Sequence, residues 1–477
     1  PPAAGVTSPA MDFRGRPAAI AALLAASGIG LACSRAAPPD PRPNVLLITV
    51  DTLRADRLGT YGQSLATSPR IDAWAAGAVV FERALAASAS TAPSHASIMT
   101  SRYPREHSIG TNNGGTRLTG SPKTLAERFQ AAGYATGAFV GNVMLQPRTG
   151  FDRGFDVFDG ELLQSESNRD DVFERIARDT TQRALAWLHA QRDRPVFLWV
   201  HYQDPHGPYL PPQTPTPRLR AAPRAHETPL PVLASDSGYG GIPAYQAIFG
   251  LALPSDYESR YAEEVLYADA WIGTLLDAVA AHASGREAVV LLTADHGESL
   301  GEDGHWFAHG HSSLPHLAHV PLILRAPGLL PGRRGETVHH VDIAPTLLAL
   351  AGLAPDENAS GVDLGALLGT PPQSLPKRYV YTDIGSEVSA YHDAGLVRVT
   401  GVEEPLKPTE ERGTGATPLW LQYRWQPGAA WELDRSPQRR PRELEIYLEG
   451  AVPESRTPSL ELDTIERLRA LGYGVPE

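Results

Sequence analysis

Three short apolar runs of this chain lead to acidic residues, and residues of that kind could bind a metal. The runs are Val45–Val50 before Asp51, Val196–Val200 leading to Asp204, and Ala288–Leu292 leading to Asp295 and His296. Runs of this length and β-branched content are typical of buried parallel strands. Because ligands bind beyond the carboxyl ends of the strands in open α/β sheets, we expect these side chains to converge. Carboxylates that converge with an imidazole most often hold a divalent cation.

A hydroxyl residue stands at the start of a predicted helix between the first two runs. Thr91 comes immediately before a helix that Pro93 would initiate, since proline is tolerated in a first helical turn. A side chain there faces free backbone amides and the positive end of the helix dipole, where a phosphate or sulfate oxygen would bind. Taken alone, Thr91 would be interpreted as a plain N-cap.

These residues need a common scaffold, and the rest of the chain predicts one. Strands and helices alternate from residue 44 onward, which is typical of an α/β fold with a mostly parallel, helix-covered sheet. The predicted strands are 45–50, 135–140, 196–200, 288–292 and 320–324, and the predicted helices are one after Pro93 and those at 125–132, 172–191, 259–282 and 343–350.

The pattern also divides the chain. A catalytic domain is expected over residues 44–370, with a Pro-rich insertion or lid at 211–254. From residue 371 the pattern changes to β-like pieces at 379–382, 396–400 and 420–425, with a helix at 460–471. This change predicts a smaller C-terminal α+β subdomain over 371–477.

Composition limits the possible partners. The chain has 477 residues, 42% of them hydrophobic, which is ordinary for a large folded α/β protein. Its net charge of −12, with no basic run, argues against a nucleic-acid partner. An anionic substrate must therefore be attracted locally, by a metal or a few cations.

Residues 1–43 are expected to comprise upstream residues, an export signal and a tether. A positively charged start at Met11 precedes an apolar run that is too short to span a bilayer. The run ends at Cys33, the only cysteine, in a Gly-Leu-Ala-Cys step that resembles the lipobox of bacterial lipoproteins. Two interpretations stay open: a periplasmic or envelope lipoprotein that touches the membrane only through this lipid anchor, or an ordinary signal peptide.

Five motifs stand in the order in which sulfatases carry them. They are NVLLITVDTLR from Asn44, TAPSHASIMTSRYP from Thr91, HYQDPHGPY from His201, TADHGESLG from Thr293, and VPLIL from Val320. The pattern resembles the sulfatase branch of the alkaline phosphatase superfamily from about residue 43 to the end of the sequence. The resemblance implies a metal-dependent ester hydrolase on the fold of that superfamily, and it leaves the substrate open.

The resemblance further implies that Asp51, Thr91, Asp295 and His296 bind one divalent metal, with Thr91 as the nucleophile. Two carboxylates and an imidazole can hold a cation that lowers the pKa of the hydroxyl and neutralises ester oxygens. Sulfatases have a Cys or Ser at the place of Thr91, and it is oxidised to formylglycine. Oxidised threonine would be a ketone that hydrates poorly, so we expect no formylglycine and an unmodified Thr91.

Other differences from sulfatases concern the metal. Sulfatases usually carry a second Asp where this chain has Thr52, which leaves fewer negative ligands. His296 replaces the Asn frequent in calcium sulfatases, and imidazole favours zinc or manganese over calcium.

A second group of residues has two possible roles. His206 matches a substrate-contacting histidine of sulfatases, and His309 or His311 stands near the place of a sulfatase lysine. Asp204 and His206 with His309 or His311 could form a second zinc site. Alternatively, the histidines donate hydrogen bonds to the ester, and one of them is a general acid. Six of the 16 histidines fall within residues 296–319, too dense for a neutral surface loop.

Several other polar residues could contact the ester. Arg54, Lys123 and His201 are candidates for binding its oxygens, although Arg54 and Lys123 are equally compatible with structural ion pairs. His95 either lies in the site or packs within its helix. Asn142 receives no role.

Three functions are compatible with these residues. The first is an exported hydrolase of phosphate diesters or monoesters, small anionic substrates that Thr91 would attack. The second is sulfate-ester hydrolysis by the same residues, because the fold serves both anions. The third is a non-catalytic envelope protein that retains the fold. The sequence gives no indication of the oligomeric state.

Overall fold

Eight strands form the main sheet, and its centre contains the apolar runs at residues 45–50, 196–200 and 288–292. The computed structural model describes residues 42–110, 117–166, 169–212, 219–282, 284–393, 395–400, 419–424, 432–434 and 442–449. The strands are β1 Asn44–Val50, β2 Val79–Leu85, β3 Ala135–Val140, β4 Val157–Asp159, β5 Gln164–Glu166, β6 Arg169–Glu174, β7 Val196–Tyr202, β8 Ala288–Ala294, β9 Ser299–Leu300, β10 Trp306–Ala308, β11 His319–Arg325, β12 Gly332–His339, β13 Val380–Asp383, β14 Glu387–His392, β15 Gly395–Thr400, β16 Leu419–Arg424 and β17 Glu432–Asp434.

The main sheet is mostly parallel. Its strand order is β12-β2-β11-β8-β1-β7-β3-β4, and only β11 runs antiparallel to its two neighbours. Strands β1 and β7 are buried along their whole length, as expected where helices cover both faces of a sheet. The predicted α/β fold with a helix-covered, mostly parallel sheet is confirmed.

The helices largely follow the predicted positions. They are α1 Pro69–Ala75, α2 Thr91–Thr100, α3 Pro104–His107, α4 Leu125–Ala131, α5 Ala177–Ala190, α6 Pro254–Ala280, α7 Pro315–Ala318, α8 Ile343–Leu350, α9 Gly365–Leu368 and α10 Arg442–Glu449. No helix in the described part of the chain combines the length and apolar character needed to cross a bilayer.

Two long helices begin elsewhere than predicted. Helix α5 begins at Ala177 rather than at residue 172, because the preceding residues pair with β5 as strand β6. Helix α6 begins at Pro254 rather than at residue 259, because the proline fits the first helical turn after the extended Leu253.

Strands β2 and β12 were not predicted from the sequence pattern. Both carry charged residues, Glu82 and Arg83 in β2 and Arg333 and Arg334 in β12, which hide the strand pattern. Strand β2 is antiparallel to β11, which is antiparallel to β8, so β2 and β8 point the same way. The chain that leaves β2 therefore reaches α2 at the same sheet edge as the ends of β1 and β8.

A second sheet lies in the C-terminal part of the chain. Its order is β13-β14-β15-β16-β17, with all neighbours antiparallel. The rings of Tyr381 in β13 and Tyr447 in α10 stack with centroids 4.1 Å apart, so the helix packs on the sheet. These elements match the α+β character predicted for this region. The predicted helix at 460–471, the export segment and Cys33 lie outside the described residues.

The described part of the predicted insertion, residues 219–254, has mostly irregular backbone. It contacts both helix α6 and the hairpin of β9 and β10; for α6, the amide of Ala221 donates to the Ser259 hydroxyl at 2.9 Å and Arg224 pairs with Glu258. Tyr245 and Gln246 donate hydrogen bonds to the carbonyl of Phe307, at 3.2 and 3.1 Å, and the amide of Trp306 donates to the carbonyl of Gly238 at 2.9 Å. The role of this segment as a lid stays a prediction.

Glu387 joins the C-terminal sheet to the main domain, and its replacement by Gln should be destabilising. The buried carboxylate pairs with Arg398 and accepts hydrogen bonds from the amide and hydroxyl of Ser313, at 2.6 and 2.7 Å. Burial alone would raise the pKa of Glu387, but the bonds from Arg398 and Ser313 leave this pKa below its ordinary value. We expect Glu387→Gln to lower the free energy of unfolding by about 1–3 kcal/mol at pH 7.

The effect should depend on pH in a definite direction. A carboxyl whose pKa is lowered by folding stabilises the protein above its unfolded pKa of about 4.3, and this contribution is lost as pH falls through the folded pKa. Urea unfolding at several pH values should therefore show the gap between wild type and Glu387→Gln narrowing in acid. The exposed Glu357→Gln is the control. A gap that widens in acid would contradict this account.

Candidate active site

Strands β1 and β8 place two carboxylates side by side. Val50 and Ala294 are partners in the parallel register, so the residues that follow them, Asp51 and Asp295, leave the sheet together. Nε2 of His296 lies 3.9 Å from Oδ1 of Asp51 and 3.5 Å from Oδ2 of Asp295. One potential ligand atom from each residue lies within 4.8 Å of the others. The predicted convergence at the strand ends is present for these three residues.

The free oxygens of the two aspartates fit a cation. Oδ2 of Asp51 accepts a hydrogen bond from Asn142 at 2.7 Å, and Oδ1 of Asp295 accepts from the amides of Thr52 and His296. Oδ1 of Asp51 and Oδ2 of Asp295, which face His296, have no hydrogen-bond partner although they are buried. Burial and the charge of Asp295 raise the pKa of Asp51 well above its ordinary value. A divalent cation between these oxygens would remove that penalty.

His296 has the tautomer that a metal ligand needs. Its Nδ1 donates to the carbonyl of Gly297 at 2.9 Å, which leaves the lone pair on Nε2 directed at the aspartates. Two carboxylates with one imidazole are donors that can hold a divalent metal.

Thr91 is the first residue of α2, not the residue before it. Ser90 is the extended N-cap residue, and Thr91 and all other residues of the helix are buried. The Thr91 hydroxyl lies 3.5 Å from Nε2 of His296. The hydroxyl, the imidazole and the two carboxylates therefore form one group at the positive end of the helix dipole.

His95 and His201 lie against this group. Nδ1 of His95 is 2.8 Å from the carbonyl oxygen of Thr91 and 3.7 Å from Oδ2 of Asp295, and its Nε2 is 3.0 Å from the Thr49 hydroxyl. Burial lowers the pKa of His95 to about 4, so this ring is neutral at pH 7. Nε2 of His201 is 3.7 Å from Oδ2 of Asp51. The two roles considered for His95 therefore both apply: the ring packs within its helix, and it also borders the site.

The site also contains residues that the sequence analysis did not assign. Asn142, two residues beyond β3, orients Asp51. Glu298 is fully buried and accepts hydrogen bonds from the Tyr209 hydroxyl at 3.0 Å and from His309 Nδ1 at 3.2 Å. Burial raises the pKa of Glu298 to about 7. Its place three residues after Asp295, in the segment that follows β8, was the available signal.

His206 and His309 form the other side of the group. Their ring centroids are 5.2 Å apart, and the ring of His309 is 4.6 Å from that of His296. Nδ1 of His206 lies 2.8 Å from the carbonyl oxygen of Gly207. Burial, and then the neighbouring His296, lower the pKa of His309 well below its ordinary value. Of the predicted residues His206, His309 and His311, the structure brings the first two to the site.

The structure does not assemble the predicted second metal site from Asp204, His206 and His309 or His311. Oδ2 of Asp204 accepts a hydrogen bond of 2.7 Å from the amide of Ala177. This carboxylate therefore caps the N-terminus of α5. Nε2 of His311 is 2.9 Å from Asp303 instead.

Arg54 and Lys123 are not placed to clamp an ester. The Arg54 guanidinium pairs with Asp56 and Glu302 and donates to the carbonyl of Glu298 at 3.0 Å, so the ion-pair alternative applies. Lys123 is exposed and lies near Thr100 and Ser101, at the opposite end of α2 from Thr91. A ten-residue helix separates its two ends by about 15 Å.

Comparisons with known proteins identify the family of this chain. The Sulfatase family model matches residues 43–353. Iduronate 2-sulfatase of Homo sapiens is 29% identical over 385 residues, which cover 65% of this chain and 69% of that protein. Delta 4,5-hexuronate-2-O-sulfatase of Bacteroides thetaiotaomicron is 24% identical over 385 residues, which cover 75% of this chain and 79% of that protein.

A solved structure shares the fold. A phosphonate monoester hydrolase from Silicibacter pomeroyi superimposes with a TM-score of 0.62 at 19% identity, covering 82% of this chain and 91% of that one. The matched residues 43–353 contain Asp51, Thr91, Asp295 and His296. The chain therefore belongs to the sulfatase family and is an ester hydrolase.

Proposed function

We propose that this protein hydrolyses phosphate esters and that the unmodified hydroxyl of Thr91 is the nucleophile. The observation that carries the proposal is the position of Thr91. It is buried at the start of α2, with its hydroxyl 3.5 Å from Nε2 of His296 and beside the ends of β1 and β8. Because a threonine cannot yield formylglycine, the nucleophile must act as an ordinary alcohol.

A divalent cation belongs to this proposal. Asp51, Asp295 and His296 would hold it, with the Thr91 hydroxyl as a further ligand, and zinc or manganese suits these donors. When bound, the cation lowers the pKa of a hydroxyl and neutralises charge on ester oxygens.

The reaction would consist of two displacements. In the first, a bond forms between Oγ1 of Thr91 and phosphorus while the bond from phosphorus to the leaving alcohol breaks. In the second, water forms a bond to phosphorus and the bond to Oγ1 breaks, which restores the threonine. His206 and His309 lie beside His296, with the His309 ring centroid 5.2 Å from that of His206 and 4.6 Å from that of His296, so one of these two histidines would take the Thr91 proton and pass it to the leaving alcohol.

We favour a monoanionic substrate, either a phosphate diester or a phosphonate monoester. A dianionic phosphate monoester gains more from a second metal ion beside the first, and Asp204 and His311 are engaged elsewhere. A phosphonate monoester hydrolase among the solved structures of this fold supports the same class.

Sulfate-ester hydrolysis is the second candidate function. The sequence relatives named above are sulfatases, and a sulfate ester is also a monoanion, so charge does not separate the two substrates. The threonine does separate them, since it removes the formylglycine chemistry of sulfatases.

The exported location inferred from residues 11–33 is also a proposal. It is supported by the charged start and the apolar run before Cys33. A small anionic ester outside the cytoplasm would be the corresponding substrate.

Replacing Thr91 should abolish turnover of phosphorus esters. We expect Thr91→Ala to lower kcat/KM for an aryl phosphate diester by roughly 10³-fold or more, and Thr91→Ser to stay within about tenfold of wild type. Thr100→Ala, which removes another buried hydroxyl from the same helix, is the matched control and should keep its activity.

The same assay should rank the substrates. We expect the aryl diester and phosphonate monoester to be turned over faster than the aryl phosphate monoester and the aryl sulfate. Sulfate turnover well above that of all phosphorus esters, and lost in Thr91→Ala, would contradict the proposed substrate class. Full activity of Thr91→Ala would reject Thr91 as the nucleophile.

Metal analysis should locate the cation. Asp295→Asn should lose one equivalent of zinc or manganese per chain and most activity, since it removes a charged ligand from a buried group. Asp204→Asn should keep this equivalent, because its carboxylate caps α5. Unchanged metal content in Asp295→Asn, or a loss confined to Asp204→Asn, would contradict the assignment.

A further inference from the structure

Four polar residues of the segment 303–316 form a second cluster. It shares no residue with the group around Thr91. Asp303 lies in the turn between β9 and β10, His305 and His311 flank β10, and His316 lies in α7. We call these four residues the Asp303 cluster.

Two imidazoles of this cluster face one carboxylate oxygen. Nε2 of His311 is 2.9 Å and Nε2 of His316 is 3.3 Å from Oδ2 of Asp303, and one potential ligand atom from each of the three residues lies within 4.8 Å of the others. Tetrahedral zinc with bonds of about 2.0–2.1 Å separates its ligand atoms by about 3.3 Å. The spacing therefore suits a single zinc ion with little movement of the side chains.

Hydrogen bonding alone does not account for this arrangement. Nε2 of His316 is buried and makes no hydrogen bond, in spite of its approach to Asp303. The ring of His305 stacks on that of His311 at 3.6 Å, and its Nδ1 is 3.4 Å from the other carboxylate oxygen.

We propose that Asp303, His311 and His316 bind a second divalent cation, with zinc as the best match to their nitrogen and oxygen donors. The ion would connect the β9–β10 turn to α7 across the strand that precedes His309. It would thereby fix the hairpin on which His309 approaches His296. The amide of Gly240 donates to the carbonyl of Gly304 at 2.9 Å, so the same ion would also hold the insertion at 219–254.

The test counts metal ions in variants that separate the two sites. Metal equivalents and the visible absorption of Co²⁺ would be measured after loading the full chain with each metal alone. Wild type should hold two equivalents, Asp295→Asn one, His316→Gln one, and the double variant none. The exposed His189→Gln is the control and should hold two.

The outcomes distinguish this proposal from that for Thr91. Two equivalents in His316→Gln, or one remaining in the double variant, would overturn the Asp303 site and leave the Thr91 site intact. Loss of all metal in Asp295→Asn would also overturn it. An inactive phosphorus-ester assay, by contrast, would leave the metal count of the Asp303 cluster unchanged.

A second measurement covers the case in which His316→Gln does not fold. Adding Zn²⁺ to metal-free Asp295→Asn should raise its thermal midpoint, because a ligand that binds only the folded state stabilises it. A midpoint that does not change with zinc would contradict the proposal.

Discussion

The two buried carboxylates of Asp51 and Asp295 are the constraint on which this molecule depends. Parallel pairing of β1 with β8 brings them together, and their facing oxygens have no protein donor. An uncompensated pair of buried charges costs several kcal/mol, so either a proton or a cation must accompany it. Asn142, Thr52 and the amide of His296 satisfy only the outer oxygens, which leaves the inner ones for a metal.

Strand β2 determines where Thr91 lies. Strands β2 and β8 are both antiparallel to β11 and therefore run in the same direction, and the chain that leaves β2 begins α2 at the sheet edge where Asp51 and Asp295 lie. His95 then ties the first turn of the helix to Thr49 of β1 and to Asp295. Because burial lowers the pKa of His95 to about 4, this histidine supports Thr91 without adding positive charge at pH 7.

The sequence was sufficient for the centre of the fold. Apolar runs over β1, β7 and β8 and the acids beyond them predicted both the sheet and the Asp51–Asp295–His296 group, because strand ends in a parallel sheet share one edge. Strands β2 and β12 were not predicted, because charged residues interrupt the alternation of apolar and polar residues in both strands. The roles of Asp204, His311 and Arg54 depended on side-chain direction, which spacing along a chain does not fix. The carboxylate of Asp204 binds the amide at the start of α5, and the guanidinium of Arg54 pairs with two acidic residues. The carboxylate of Glu298, in contrast, lies in the site.

If an unmodified Thr91 carries the transferred group during turnover, that group can be trapped on its hydroxyl. Acid quenching during turnover of an aryl phosphate diester, followed by peptide mass spectrometry, would show which side chain is modified. We expect the peptide that contains Thr91 to carry an added phosphoryl group on the Thr91 hydroxyl. This phosphoryl group should still carry its second ester. A phosphoryl group on another side chain such as His206, or an oxidised residue 91 in the resting protein, would contradict it.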